Sequence, residues 1–380
     1  MNPVLCLLRL MQCRLLLFLL DQIIITDPSY TPLIKEIKAS LFLKNNSNTE
    51  LIVKELEDHT DFFALCMKTT GSLKMSNFKD ALFYIDQTLN LDPENPIILF
   101  NRSQIYYMNG QIEESLTELN KLIKEPHDQY LLLLLSRANI YRYQNRIEEA
   151  LCDLKLIILA EPNNFPALLV RSDLHRMQGK LDDALIDVNQ AIPLNPGNYA
   201  ALIIRGDVYR LQNRLDEALI DLNLVITTIP LNAQALGFRG DVHRLKGNLE
   251  LALGDLLVSD HLNPYQIFVL SRIIDCYLQI GLLPEAKKYV HQCLQINANE
   301  PFPTLLNAEI LYKEGLFDEA QVEFAKADIL FGQYKLHIEA SILQKKETLQ
   351  NLLKQHEIIL NMLKQPDEPA EEPLKKKVRF

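Results

Sequence analysis

Residues 168–188 read LLVRSDLHRMQGKLDDALIDV, residues 202–222 read LIIRGDVYRLQNRLDEALIDL, and residues 236–256 read LGFRGDVHRLKGNLELALGDL. Each string begins 34 residues after the one before, so Arg171, Arg205 and Arg239 share one column, Ala184, Ala218 and Ala252 a second, and Pro196, Pro230 and Pro264 a third. A fixed period of this length marks a stacked-repeat architecture, in which a helical hairpin cannot cover its own apolar face and is completed by its neighbour. The function of such a chain is a question about its surfaces.

Extending the 34-residue frame outward gives eight units, 62–95, 96–129, 131–164, 165–198, 199–232, 233–266, 267–300 and 301–334, with Tyr130 alone left over. A column of small residues runs Ala81, Ser115, Ala150, Ala184, Ala218, Ala252, Ala286, Ala320, and a Leu column runs from Leu65 through Leu134 and Leu202 to Leu270. Small residues at one place let two helices approach closely while the large aliphatics fill the remaining space. A Gly or Asn stands five residues before the small one (Gly110, Asn145, Gly179, Asn213, Gly247, Gly281, Gly315), where a left-handed residue would end the first helix. Proline at Pro93, Pro126, Pro162, Pro196, Pro230 and Pro264 closes the second. These features predict an all-α chain, a solenoid of stacked antiparallel hairpins over residues 62–334.

The pattern resembles the tetratricopeptide repeat, with an apolar residue, Gly or Ala, Tyr, Ala, an aromatic or aliphatic residue, Ala and Pro at matching spacings over about 270 residues. It departs in having Leu where Trp is usual, and His175 and His243 where Tyr106, Tyr141, Tyr209 and Tyr277 hold the aromatic column. The resemblance implies that the α-solenoid is right-handed, and that it is a scaffold that binds protein or peptide ligands in a concave groove. The arrangement is also similar to that of tetratricopeptide proteins of cilia and flagella, which implies a structural subunit of a ciliary or other large assembly as the alternative.

The formal charge of −10 over 380 residues argues against nucleic acid as a partner, since clustered Lys and Arg must replace phosphate counterions. Six cysteines lie far apart with no C-x-x-C pair, so neither a disulfide framework nor a zinc site is expected, and the thiols read as reduced. Arg9, Gln12 and Arg14 interrupt the apolar run 4–20, leaving no stretch near the roughly 20 residues a membrane span needs, and no cleavage signal follows. Leu16, Leu20, Ile23 and Pro28 instead fit a second-helix pattern, so residues 1–61 read as degenerate repeat helices and Met1 as beginning inside a repeat. Such an open end would need an upstream region or a partner to cover it. A cytoplasmic protein is expected, or one of the cilium or nucleus.

Two charge columns run through the array. Arg102, Arg137, Arg171, Arg205 and Arg239 are each followed sixteen residues later by an acid: Glu118, Asp153, Asp187, Asp221 and Asp255. Where the Arg is lost, at Lys68, Ile273 and Asn307, two of the three acids are lost with it, to Tyr84 and Tyr289. Joint loss predicts an ion pair clipping the two helices of one hairpin, a structural role. The second column places Asp173, Asp207 and Asp241 three residues before Arg176, Arg210 and Arg244, with Asp275 at the matching Asp place one unit later and Arg142 at the matching Arg place one unit earlier. The family resemblance implies that these positions line the groove. Asp and Arg at i and i+3 share a helical face and read as an exposed pair, either a solvated, self-neutralised ladder or a row of guanidiniums that clamps an extended acidic peptide.

A carboxylate clamp of the chaperone-binding kind is not present: only Asn101-Arg102 fits it, while Cys66, Thr70, Leu132 and Ser136 occupy the other places. No phosphate loop, dinucleotide fingerprint, nucleophile elbow or H-E-x-x-H motif occurs, and the eight histidines are dispersed. No enzyme activity, metal or cofactor is therefore expected.

Beyond Gly332, Leu336, Ile342, Leu349, Leu353, Ile359 and Leu363 keep a helical spacing, which predicts a helix over 335–364 capping the last hairpin. Residues 365–380 read as a disordered tail, acidic and Pro-rich at first (PDEPAEEP) and then basic. Its last four residues, Lys377-Val378-Arg379-Phe380, resemble the R/K-V-x-F motif that docks onto protein phosphatase 1. There an extended segment joins a sheet edge, with alternate side chains, here Val378 and Phe380, entering apolar pockets. A solvated basic tail or a nuclear-import signal is the rival reading.

Overall fold

The computed structural model describes residues 60–124, 130–333 and 338–364. The degenerate amino-terminal repeats and the tail with Lys377, Val378 and Phe380 therefore lie outside the described residues. Among those described, seventeen helices and no strand occur. The chain divides into two units, Met1–Ala160 and Glu161–Phe380.

The first unit contains α1 (Phe62–Lys74), α2 (Phe78–Leu91), α3 (Pro96–Met108), α4 (Ile112–Ile123), α5 (Tyr130–Tyr143) and α6 (Ile147–Ala160). The second contains α7 (Phe165–Met177), α8 (Leu181–Leu194), α9 (Tyr199–Leu211), α10 (Leu215–Thr228), α11 (Ala233–Leu245), α12 (Leu249–Leu262), α13 (Ile267–Ile280), α14 (Leu283–Ile296), α15 (Pro301–Lys313), α16 (Phe317–Gln333) and α17 (Ala340–Lys364). Within each unit, consecutive helices pack as hairpins and each hairpin packs on the next.

Local chemistry sets the helix ends. The side-chain oxygens of Asn164, Asn198 and Asn232 accept from the backbone N–H groups of Ala167, Ala200 and Ala235, capping α7, α9 and α11. At the other end every member of the Gly/Asn column has positive φ, from 58° at Asn145 to 89° at Gly281. Asn213 shows the result: in this left-handed conformation it turns the chain so that Arg214 N–H reaches back to the Tyr209 carbonyl at 2.8 Å. The same column is filled by Ser76 in the first hairpin, a position the sequence pattern passes over.

The small-residue column is the seam of every hairpin and is fully buried from Ala81 to Ala320. A second small position faces it. A Cβ on Gly240 would stand 2.7 Å from Leu256 Cγ and 3.1 Å from the Ala252 carbonyl oxygen, and one on Gly206 would stand 2.9 Å from Leu222 Cγ. In the preceding hairpin Ser172 uses the equivalent space to donate to the Ala184 carbonyl at 2.9 Å. Gly240→Val is expected to destabilise the second unit by about 1–3 kcal/mol through overpacking, read as a lower urea midpoint of the full chain.

The carboxyl-terminal helix does more than cap the last hairpin. Leu349 and Leu353 of α17 are buried against the core that holds Leu305, Ala320 and Phe331. Ile359, expected on the same apolar face, is exposed, as are Leu343 and Leu352. The entry of the helix runs instead along the first helices of earlier hairpins, where polar side chains meet it.

Candidate functional site

The sixteen-residue Arg–acid pairs form in every repeat that has them. Arg171 and Asp187 meet through Nε and Nη2 at 2.8 and 2.6 Å, and Arg205 with Asp221 and Arg239 with Asp255 do so at 2.7 and 2.8 Å. Arg102 with Glu118 and Arg137 with Asp153 match them in the first unit. The third nitrogen reaches the preceding hairpin, as Arg205 Nη1 does to Asn189 Oδ1 at 3.0 Å, so one side chain joins three helices. Where the Arg is absent other contacts replace it: Lys68 Nζ lies 5.3 Å from the Tyr84 ring centroid, and Tyr277 stacks on Tyr289.

The second column differs from the exposed pair expected. Asp207, Asp241, Asp275, Arg210 and Arg244 are buried, while Arg176 and Asp173 are partly so. The reason is a second partner that spacing within one helix could not reveal. Arg176 holds Asp173 of its own helix α7 at 2.8 Å and Asp207 of α9 at 2.8 Å. Arg210 holds Asp207 at 2.8 Å and Asp241 of α11 at 2.6 Å, and Arg244 holds Asp241 at 2.7 Å and Asp275 of α13 at 2.6 Å. Each guanidinium is thus shared between consecutive repeats, and the stacked repeats exclude water from the chain of charges. Arg142 lies in the first unit, with its guanidinium 5.0 Å from the Tyr143 ring centroid.

Three residues outside the predicted set complete the ladder. Arg272 of α13, only 2% exposed, lies between the rings of Phe268 and Phe302, at 4.9 and 5.1 Å from their centroids, with Nε 3.3 Å from Asp241. Glu339, just before α17, accepts from Arg210 at 3.0 and 3.1 Å and from Arg272 Nη2. Nearly two helical turns further on, Lys345 pairs with Asp275 at 2.9 Å and with Glu309 of α15. The sequence held one signal for this cluster: Phe268 and Phe302 stand 34 residues apart at a position filled by Gln234 one unit earlier. Arg272 itself breaks the period, occupying the place of Ile204 and Phe238.

Electrostatics keep this cluster ionised. Burial works against the charge on Asp241, but Arg272, Arg244 and Arg210 outweigh it and hold the carboxyl well below the usual carboxylate range. Burial likewise opposes the charge on Glu339, and Arg272 and Arg210 overcome it, bringing the carboxyl down to about 2. Burial would lower Lys345, yet Asp275 and Glu309 raise it. A carboxyl with a depressed native pKa stabilises the fold above its unfolded value, and that contribution disappears as pH falls through the native value. The difference in melting temperature between the wild type and Glu339→Gln is therefore expected to stay constant from pH 8 to about 5, then shrink between about 4.5 and about 2, followed by circular dichroism.

Three cavities adjoin the ladder. One of ≈ 460 Å³ is lined by Arg176, Arg210, Gln234, Phe238, Asn263 and Phe268, with Glu339 at its edge. Another of ≈ 420 Å³ lies between α17 and the inner faces of α13 and α15, and a third of ≈ 300 Å³ lies beneath Ile338 and Ile342. Among the described residues no cluster of His, Cys, Asp or Glu suits a metal ion, and no helix is long and apolar enough to cross a membrane. Burial pushes the thiols of Cys276 and Cys293 up to about 12, which leaves them un-ionised and poor nucleophiles near neutrality.

Residues 72–129 and 135–199 match the family model of the tetratricopeptide repeat. No curated protein matches the chain. Among solved structures, the chain is similar to a tetratricopeptide repeat protein from Parabacteroides merdae ATCC 43184, with TM-score 0.53 and 19% identity over 67% of this chain and 98% of that one. It is also similar to a chain in the APC/C hetero-tetramer Cut9-Hcn1, with TM-score 0.58 and 15% identity over 83% of this chain and 63% of the other. At these identities the likeness concerns the fold.

Proposed function

We propose that this chain, which belongs to the tetratricopeptide-repeat superfamily, is a non-catalytic protein-interaction scaffold whose inner first-helix face receives a peptide segment or helix of a partner. The observation that supports this reading most is the ≈ 460 Å³ cavity, where two guanidiniums and two phenylalanines stand beside the exposed amides of Gln234 and Asn263. Charged anchors, aromatic walls and adaptable polar groups together are what a peptide side chain needs for affinity and register. The role earlier given to Arg142, Arg176, Arg210 and Arg244 narrows accordingly: the last three position the face through their paired aspartates, and Arg210 at the cavity edge meets the ligand.

The tail adds a second attachment in this proposal, with Lys377, Val378 and Phe380 docking protein phosphatase 1 so that the scaffold brings the phosphatase to its groove-bound partner. The alternative is a structural place in a ciliary or other large assembly. Partner capture from cell extract separates the parts. Gln234→Arg with Asn263→Arg fills the cavity from exposed positions and is expected to reduce groove partners at least 10-fold, while Val378→Ala with Phe380→Ala removes the phosphatase alone. Unchanged partners with the first variant would sink groove binding. Phosphatase kept by the second variant, or never recovered, would sink docking, and one fixed set of partners indifferent to both would favour the assembly role.

A further inference from the structure

Glu339 differs in kind from the other carboxylates of the ladder. Asp173, Asp207, Asp241 and Asp275 sit on the helices that carry the guanidiniums and are held by the repeat period, whereas Glu339 enters from outside the repeat frame, 129 residues from Arg210 in sequence. The segment it belongs to is anchored at few places. Ile338 and Ile342 lean on the cluster around Phe302 and Phe331, Glu339 lies between Arg210 and Arg272, and Lys345 lies between Asp275 and Glu309. Beneath it remain the ≈ 300 and ≈ 420 Å³ cavities, an interface far from the close packing of a protein interior. Buried ion pairs set the geometry of such a contact while adding little net stability, since desolvation offsets much of the attraction.

The receiving face is bipolar. Arg210 and Arg272 form a cationic end, Asp275 and Glu309 an anionic end, and the aromatic rings of Phe268 and Phe302 adjoin the two. A helix suits it when an acid stands near its amino terminus, a base stands about two turns later, and aliphatics lie one residue before and three after the acid. Residues at these spacings share one helical face. The chain's own segment, Ile338-Glu339-x-x-Ile342-x-x-Lys345, has this pattern.

We infer that residues 338–345 are a displaceable internal occupant of a binding site for a partner's amphipathic helix of the same pattern, aliphatic, acid, two spacers, aliphatic, two spacers, base. This rests on the scaffold reading above and adds the class of ligand and its orientation. The partner's acid replaces Glu339 between Arg210 and Arg272, its base replaces Lys345, and the displaced segment swings out. Leu349 and Leu353, one to two turns further along, keep the last hairpin covered. An all-acidic peptide, by contrast, meets Asp275 and Glu309 and is repelled there.

The test uses the full-length protein and a fluorescent peptide of this chain's residues 338–357, read by anisotropy. The double variant Glu339→Gln with Lys345→Gln loosens the internal segment without touching Leu349 or Leu353, and Glu339→Ala alone serves as a second opened form should the first fold poorly. Opened protein is expected to bind the peptide at least 10-fold tighter than wild type. A peptide with the acid and base exchanged is expected to bind the opened protein at least 10-fold more weakly than the native-sequence peptide. Equal binding to wild-type and opened protein, or equal binding of the two peptides, overturns the inference. Dimers of the wild type that exchange this segment, detected by sedimentation and by mixed-isotope crosslinking, would overturn it in favour of self-association. The scaffold reading fails separately, when the Gln234/Asn263 variant leaves captured partners unchanged.

Discussion

Asp241→Asn lowers the stability of the second unit by about 3–5 kcal/mol, a larger loss than the overpacking of Gly240→Val causes. Asp241 is 0% exposed and faces the guanidiniums of Arg210, Arg244 and Arg272. The amide is nearly isosteric, so it opens no cavity and isolates the charge. Three buried cations then share the remaining carboxylates, and the amide's own donors point at donors. A urea titration of the full chain, followed by far-UV circular dichroism, should show the midpoint of the second unit shifted while the slope is kept. A change below about 1 kcal/mol would mean that the ladder is far better solvated than its burial implies.

The second large effect is on motion at one place. Arg272→Met keeps a long apolar side chain between Phe268 and Phe302 but removes the donor to Glu339. Because Arg272 is 2% exposed, its thioether replacement fits the ring slot and loses only the charge-dependent contacts. Amide hydrogen exchange over residues 340–348 is expected to accelerate roughly 10- to 100-fold, corresponding to about 1.4–2.7 kcal/mol of lost protection, while residues 200–262 change far less. Arg272→Lys should give an intermediate value, since an ammonium can reach one carboxylate but cannot fork between two. Uniform acceleration across the second unit would show that Arg272 acts on global stability and not on docking of the segment.

These two side chains also mark where reading the sequence succeeds and where it stops. The repeat period locates the hairpins because it records contacts within a unit. Ala184 against its facing helix, Asn213 in its left-handed turn and Arg205 with Asp221 are each settled inside one repeat or its immediate neighbour. The Asp and Arg of the ladder are legible as i, i+3 pairs for the same reason. Their burial is not, because it depends on the next repeat presenting a second carboxylate to the same guanidinium, as Asp241 does to Arg210. Arg272 and Glu339 fall further out of reach. One breaks the column pattern and the other lies beyond the frame, and their meeting is a tertiary event that no periodicity encodes. The apolar spacing predicts the helix over 335–364, yet its polar entry, the part that meets Arg210, Arg272 and Asp275, contributes nothing to that signal.

The sequence distance between Arg210 and Glu339 has a consequence for the chain as it is made. A ribosome adding about 5–20 residues per second needs on the order of 10 s to pass from one to the other. In the latter part of that interval the repeats up to α13 can already stack, since each depends on its neighbours alone. Arg210 and Arg272 are then in place while their internal occupant has yet to be synthesised. A partner present at the ribosome meets the site with nothing to displace, and one arriving later must compete with the segment already seated. The same two proteins can therefore assemble readily during translation and slowly afterwards, with order of encounter deciding which complex forms.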